Sequence, residues 1–328
     1  MLLSVLLLLI LWLVARVVRS VRGDVFPLED KVIVITGPAS GIGRQLARTI
    51  FTQVSKVTLA LVDINVEALE KLQSELLESV PTSNKKRVFC YECDVADYRA
   101  VSACVARVVA DVAPNHIGVL VNNAGVVMGQ SVEDLTPEQV QQTFAVNTLA
   151  HFWTLKAALP SMKKAPEALL VTVSSVMGMI SSARLADYCA SKAAVNAFHE
   201  AVRLELWRDN IKSIRTLLIC PAAIETGMFA GIFDANDLLT KNLRLCLPLL
   251  PESQVVDIIY RAMRRGDTLV VSCFPGWKGT AIPWFLALLR LLPVSLYDTV
   301  VRLCGGLNGM DTFVGRNGSY KSNKEKVS

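Results

Sequence analysis

The chain has little of what metal and disulfide chemistry needs. Only three histidines, His116, His151 and His199, occur in 328 residues; they lie far apart and in no ligand motif, so they read as structural, either satisfied in the interior or exposed. The eight cysteines stand at positions 90, 93, 104, 189, 220, 246, 273 and 304, mostly inside apolar stretches. Only Cys90 and Cys93 have a ligand-like spacing, and neither a second pair nor a nearby histidine completes a zinc site. Reduced thiols facing the cytosol, and no metal, are the expectation. There is no internal repeat and no long low-complexity linker. The formal net charge is +5, but the basic residues gather beside the first apolar run (Arg16, Arg19, Arg22) and in the tail (Arg316, Lys321, Lys324, Lys326). That placement suits a membrane surface and not nucleic acid.

What the chain has in excess is apolar surface: 52% of residues are hydrophobic and the mean hydropathy is +0.42. Residues 2–18 are almost wholly apolar, broken only by Ser4 and Arg16. About 20 residues span a bilayer, so the run is slightly short but in range if arginines snorkel. A cleaved signal peptide would want a basic start and a small-residue cleavage site, and neither is present. An uncleaved anchor over residues 1–22 is expected, with its flanking arginines holding the following domain on the cytosolic side. A second apolar stretch, residues 281–303, contains Pro283, Arg290, Pro293 and Asp298, costly at a bilayer centre. With Trp277, Trp284, Phe285 and Tyr297 it reads as an interfacial helical segment, packing against the main domain being the competing reading. The chain then divides into the anchor, a main domain over 23–275, a membrane-associated or substrate-side segment over 276–314, and a disordered polar tail over 315–328.

From Lys31 onward short β-branched runs alternate with amphipathic helical patterns, the signature of a doubly wound parallel α/β sheet of Rossmann type. Strands are predicted at 31–36, 57–62, 88–92, 117–121, 168–173, 213–219 and 269–272. The first ends in Thr36-Gly37-Pro38-Ala39-Ser40-Gly41-Ile42-Gly43 and runs directly into a helix. Such glycines permit a tight turn and close approach of a pyrophosphate, whose charge the helix N-terminus stabilises. Asp63 closes the second strand twenty residues after Gly43, where a carboxylate can take the adenosine ribose hydroxyls; a simple turn or cap is its other reading. Cys93-Asp94-Val95 and Asn122-Asn123-Ala124-Gly125 follow the third and fourth strands, at the carboxyl ends where open α/β sheets bind ligands.

After the fifth strand come Ser174 and Ser175. Tyr188 follows Ser175 by thirteen residues and Lys192 follows Tyr188 by four. Positions i and i+4 share a helix face, so the lysine ammonium can sit beside the phenol. A free phenol ionises near pH 10, and a neighbouring cation favours phenolate, which makes Tyr188 a candidate general acid/base. Ser175 can donate a hydrogen bond to a substrate oxygen on which charge develops.

From about residue 31 to 264 this pattern resembles the short-chain dehydrogenase/reductase family. The motifs are Thr36 to Gly43, Asn122 to Gly125, Asn147, Ser175, Tyr188-Cys189-Ala190-Ser191-Lys192, and Pro221 through Thr226-Gly227. The resemblance implies a nicotinamide cofactor, NAD with NADP as the alternative, bound by Gly37, Ser40, Gly41, Ile42, Gly43, Asp63, Asp94, Val95, Asn122, Ala124, Gly125, Tyr188, Lys192, Pro221 and Thr226. Asn147 would hold a water in a proton relay, Lys192 would bind the nicotinamide ribose, and Thr226 would contact the carboxamide. Family members commonly have Pro-Gly where this chain has Pro221-Ala222, which leaves the conformation of that loop open. A homo-oligomer is also implied.

Further motifs resemble the membrane-bound branch that contains epidermal retinol dehydrogenase and the type 11 and 13 17β-hydroxysteroid dehydrogenases: the apolar N-terminus, Val62-Asp63-Ile64-Asn65, Thr226-Gly227-Met228-Phe229, and residues 308–316, NGMDTFVGR. They imply attachment to endoplasmic reticulum or lipid droplet and a lipophilic alcohol, with all-trans-retinol first and a 17-hydroxysteroid next. Reduction of a ketosteroid or 3-ketoacyl lipid with NADPH is the alternative. A non-catalytic membrane scaffold would have no need of Ser175, Tyr188 and Lys192 together.

Overall fold

The computed structural model describes residues 26–79, 87–229, 231 and 249–314. The expected anchor and the polar tail lie outside the described residues. The apolar β-branched runs form seven strands: β1 (Val32–Thr36), β2 (Thr58–Asp63), β3 (Arg87–Glu92), β4 (Ile117–Asn122), β5 (Ala168–Val173), β6 (Ile214–Pro221) and β7 (Leu269–Ser272). All pair in parallel, in the order β3-β2-β1-β4-β5-β6-β7. Each lies within a residue or two of its predicted position. Every residue of β1, β4 and β5 is buried, as a parallel sheet covered on both faces requires.

Side chains alternate across the strands. Ile33 and Ile35 face one core layer with α1 (Gly41–Gln53), α2 (Val66–Glu78) and α7 (Glu252–Arg265). Val32 and Val34 face the other, where α3 (Tyr98–Asp111), α5 (Ala150–Met162) and α6 (Ala186–Arg208) pack. The short α4 (Pro137–Phe144) starts at a full capping box between Thr136 and Gln139 and runs through a widened turn over Ala145–Leu149 into α5. Successive strands are added to one side of β1 as far as β3 and to its other side from β4 onward, and at that switch between β1 and β4 the carboxyl ends of the strands leave a crevice.

The second apolar stretch forms two short helices, α8 (Gly276–Leu289) and α9 (Val294–Leu303), separated at Pro293. No helix among the described residues is long and apolar enough to cross a membrane. Leu286 and Leu289 pack against Val176, Leu218, Cys220 and Val271 of the main domain. The opposite face leaves Trp284, Phe285, Leu288 and Leu291 exposed, Leu291 by 79%. Packing and an apolar outer face therefore coexist on one segment.

Candidate active site

A cleft of about 390 Å³ opens at the switch point. It is lined by Gly37, Ser40, Gly41, Ile42, Asp63, Asp94, Val95, Ala124, Gly125, Ser175, Tyr188, Lys192, Pro221 and Thr226. Of the residues singled out in the sequence, Gly43, Asn122 and Asn147 do not line it.

The glycine turn explains its own residues. Gly37 sits at φ +68 with a hypothetical Cβ 2.8 Å from the Ala124 Cα, and a Cβ on Gly43 would stand 2.4 Å from the Gly37 carbonyl oxygen. No side chain fits at either place. α2, α3 and α4 are capped by Asn65, Asp97 and Thr136 side chains. Ser40 at the start of α1 makes no such bond, and the first turn of α1 carries no acidic residue. Its backbone N–H groups are thus open to an anion in the cleft, which fits the diphosphate of a dinucleotide. Asp63 Oδ2 accepts from Ala39 N at 2.9 Å and Oδ1 from Asn65 N at 3.1 Å. The carboxylate is thereby fixed at the rim of the turn. Arg44, a cation that could favour a 2′-phosphate there, is paired with Glu75 at 2.7 Å, beside Arg48.

Asn123, named in the sequence only as part of its segment and given no role there, joins the glycine turn to the end of β4: its Nδ2 donates to the carbonyls of Thr36 (3.0 Å) and Gly37 (3.1 Å). Its neighbour Asn122 is buried behind the cleft and accepts from Thr154 Oγ1 at 2.8 Å. Strand alternation, visible in the sequence, separates the two. Asn147 lies in the widened turn before α5. Its Oδ1 accepts from Val126 N (2.8 Å) and its Nδ2 donates to Val126 O (2.9 Å) and Ser191 Oγ (3.0 Å). The side chain thereby braces the loop after β4 against α6.

Tyr188 and Lys192 are both buried, 4% and 3% exposed, on the first turns of α6. The i, i+4 spacing puts Lys192 Nζ over the phenol ring, 5.8 Å from its centroid, while Nζ donates to Val173 O at 3.1 Å. The expected lowering of the phenol by the lysine is not what dominates. Burial pushes the Tyr188 phenol well above its ordinary range, and a hydrogen bond from Ser175 only partly opposes this. Burial also lowers the Lys192 ammonium to about 8, against a small opposing effect of Cys220. Desolvation outweighs pairing because both groups are almost wholly buried. Ser175 also accepts from Met177 N at 3.1 Å, which fixes its χ1 rotation beside Tyr188. The loop after Pro221 is settled by the structure: Ala222 has no left-handed backbone, and its N–H donates to Ser272 O at 3.1 Å, so glycine is not needed there.

Among the histidines, His151 departs from expectation. His199 is buried with Nδ1 2.8 Å from Thr172 Oγ1, but His151 is buried with neither ring nitrogen hydrogen-bonded to any described residue.

With this geometry in place, the family model for short chain dehydrogenases matches residues 31–237. The chain belongs to the short-chain dehydrogenase family. Among curated relatives it is 35% identical over 92% of its length to short-chain dehydrogenase/reductase family 16C member 6 of Bos taurus, covering 88% of that protein. It is 33% identical over 88% of its length to epidermal retinol dehydrogenase 2 of Homo sapiens, covering 86% of it. Retinol dehydrogenase 10 of Homo sapiens is 31% identical over 96% of the chain and 92% of the relative. These place the dehydrogenase in the branch that contains the retinol dehydrogenases. The solved alcohol dehydrogenase of Thermococcus sibiricus, complexed with 5-hydroxy-NADP, superposes with a TM-score of 0.61 at 25% identity, over 74% of this chain and 94% of that one. A Burkholderia phymatum short-chain dehydrogenase in complex with NAD shares the fold at TM-score 0.65 and 23% identity, over 81% and 94% of the two chains. This dehydrogenase is an NAD(P)-dependent oxidoreductase acting on CH–OH groups.

Proposed function

We propose that this dehydrogenase oxidises a long apolar alcohol with NAD, all-trans-retinol ahead of a 17-hydroxysteroid, at a membrane surface. The observation that carries the reading is the wall around Tyr188. Tyr188 clusters with Leu185, Cys189, Met310 and Phe313, with Val127, Met177, Phe229 and Leu249 packed against them, and Phe229 also lines the cleft. Phe229 stands edge-on to the phenol at 5.9 Å between centroids. Such walls orient a substrate by burial and leave Ser175 and Tyr188 to fix its oxygen.

In this mechanism Ser175 donates a hydrogen bond to the reacting oxygen, and Tyr188 takes the hydroxyl proton as the C–H leaves as hydride. The nicotinamide, when bound, supplies the hydride acceptor. Lys192, poised over the ring, stabilises the phenolate that oxidation requires. Asn147 keeps the loop after β4 in register with α6, and Gly37, Ser40, Gly41, Ile42, Gly43, Asp94, Val95, Asn122, Ala124, Gly125, Pro221 and Thr226 form or support the dinucleotide half. The fixed carboxylate of Asp63, with Arg44 occupied by Glu75, favours a free ribose hydroxyl over a 2′-phosphate. Hence NAD is the preferred cofactor.

Membrane attachment is read from the apolar run of residues 2–18 and from the exposed Trp284, Phe285, Leu288 and Leu291 on and just beyond α8. Endoplasmic reticulum or lipid droplet is the proposed location. A homo-oligomer is favoured by the exposed Phe152 of α5 and Leu204 and Trp207 of α6, Trp207 by 81%. One observation favours the reverse direction as a second reading: a phenol kept protonated by burial is set to donate a proton to a carbonyl.

The deciding experiment compares kcat/KM for retinol, a 17-hydroxysteroid and short water-soluble alcohols, each with NAD and NADP, and for the matching carbonyls with NADH and NADPH. Retinol with NAD should lead. A short polar alcohol as best substrate refutes the lipid reading, and a clear NADP preference refutes the role of Asp63. Alkaline carbonate extraction tests attachment: the intact chain should stay with the membrane.

A further inference from the structure

We infer that the C-terminal segment, residues 290–314, is the outer wall of the substrate site and that Phe313 sets which alcohols are accepted. This deepens the proposed function and rests on it for the identity of the substrate, though not for the existence of the wall.

The segment holds the loop that carries the chain from Ser175 to Tyr188. Arg290 Nε donates to Met179 O at 2.7 Å, and Ser181 N donates to the Tyr297 hydroxyl at 3.3 Å. Ser182 Oγ and Ala183 N both donate to Gly306 O at 2.8 Å. Arg184 forms an ion pair with Asp311 at 3.2 Å. Arg184 sits at φ 61, left-handed backbone that a non-glycine residue keeps only where its surroundings impose it. Four of the five residues immediately preceding Leu185 are therefore fixed from the C-terminal segment, a few residues ahead of the phenol.

The apolar contacts agree. Met310 and Phe313 are 2% and 7% exposed. The residues they gather with include members of three different loops, Val127 after β4, Met177 after β5 and Phe229 after β6, and of these Phe229 also lines the cleft. The loop after β4 is shaped for the ring: Gly129 has φ +71, and a Cβ on it would lie 2.3 Å from the Phe313 ring. Thr312 Oγ1 donates to Gly231 O at 2.6 Å, joining the segment to the chain that follows Phe229. Phe229 lines the cleft together with Ser175 and Tyr188, so an alcohol held by its oxygen there has this cluster within reach of its apolar remainder.

The test uses the full chain, purified in detergent, with NAD and a series of primary alcohols from butanol to hexadecanol together with retinol. In the unmodified enzyme kcat/KM should climb with alcohol length. In Phe313→Leu the climb should flatten, losing roughly tenfold at the long end through KM, far more than for butanol, with the KM for NAD unchanged. Gly129→Ala, which displaces the ring without touching it chemically, should act in the same direction. A uniform fall in kcat for every alcohol, or an unchanged length dependence, overturns the wall. If the unmodified enzyme shows no climb, the lipid-substrate reading fails on its own; the wall then still requires Phe313→Ala to raise kcat/KM for the bulkier alcohols relative to butanol, and an unchanged ratio overturns it.

Discussion

The two halves of the cleft meet at Tyr188 and are held by different means. In the dinucleotide half each of these contacts has a backbone group on at least one side: the Gly37 backbone against Ala124, the Asp63 carboxylate on the Ala39 N–H, the Asn123 amide on the carbonyls of Thr36 and Gly37. In the substrate half they are between side chains far apart in sequence, as with Val127, Met177, Phe229 and Phe313. Backbone contacts demand particular residue types, glycine above all, and tolerate little change. Side-chain packing demands only apolar volume, so the substrate half is free to diverge while the dinucleotide half stays fixed.

Tyr188 belongs to both halves, and removing its hydroxyl should have the largest effect. Tyr188→Phe keeps the ring against Phe229 and loses the transferable proton, so kcat should fall by roughly 10²- to 10⁴-fold while NAD still binds. Stopped-flow or steady-state kinetics with fluorescence titration of NADH separates the two; near-normal turnover would end the proposed mechanism.

The dinucleotide half is tested alone by Asp63→Ala. Loss of a charged hydrogen-bond acceptor for the ribose, about 1.5–3 kcal/mol, should lower kcat/KM for NAD by roughly ten- to hundredfold and narrow the preference over NADP. Alcohol-length dependence should not move. If it moves as much as the cofactor preference does, the two halves are not independent.

Lys192 shows what the junction costs in stability. Burial lowers its ammonium from the ordinary 10.5 to about 8, so between these values the unfolded chain holds the proton more tightly and stability rises with pH. At pH 7 the buried cation is a penalty on the order of 3 kcal/mol, less what its bond to Val173 O returns. Lys192→Met should therefore raise the melting temperature at pH 7 by several degrees and abolish turnover. A lower melting temperature would mean that the Val173 bond outweighs desolvation.

This division also explains what could be read in advance. The seven strands, the glycine turn, Asp63 and the Ser175, Tyr188 and Lys192 spacing were legible because each rests on local periodicity or on a residue type that its backbone position requires. Asn123 was hidden behind Asn122 until strand alternation decided which of the two faces the turn. The tethers from Arg290, Gly306 and Asp311 to residues 179–184 had no local signal: they span more than a hundred residues and use ordinary polar groups. Dominance of burial over charge pairing at Tyr188 was likewise invisible, since i, i+4 spacing reports neighbours and not solvent.

The smallest expected effect at neutral pH lies behind the junction, at His151. Burial, then the Lys192 cation and, once it is protonated, His199, hold its imidazole down at about 3; burial and Arg203 hold His199 at about 4. Both fall from an ordinary 6.5, so both are neutral in the folded protein at pH 7. The groups that act on this pocket all come from α6, namely Lys192, His199 and Arg203, while Asp187 on the same helix is turned to Thr143 at 2.7 Å. Below pH 6.5 the unfolded chain takes up protons that the folded chain refuses, and stability is lost as the pH falls toward 4. His151→Phe should fit beside Phe198, whose ring the imidazole meets edge-on at 6.2 Å. It removes two buried, unpartnered nitrogens and one of the two refused protons. At pH 7 the variant should differ by less than about 1 kcal/mol, and its stability should fall less steeply between pH 6.5 and 4. Urea midpoints measured across that range decide it: parallel curves for the two proteins would show that His151 is not held neutral by the fold.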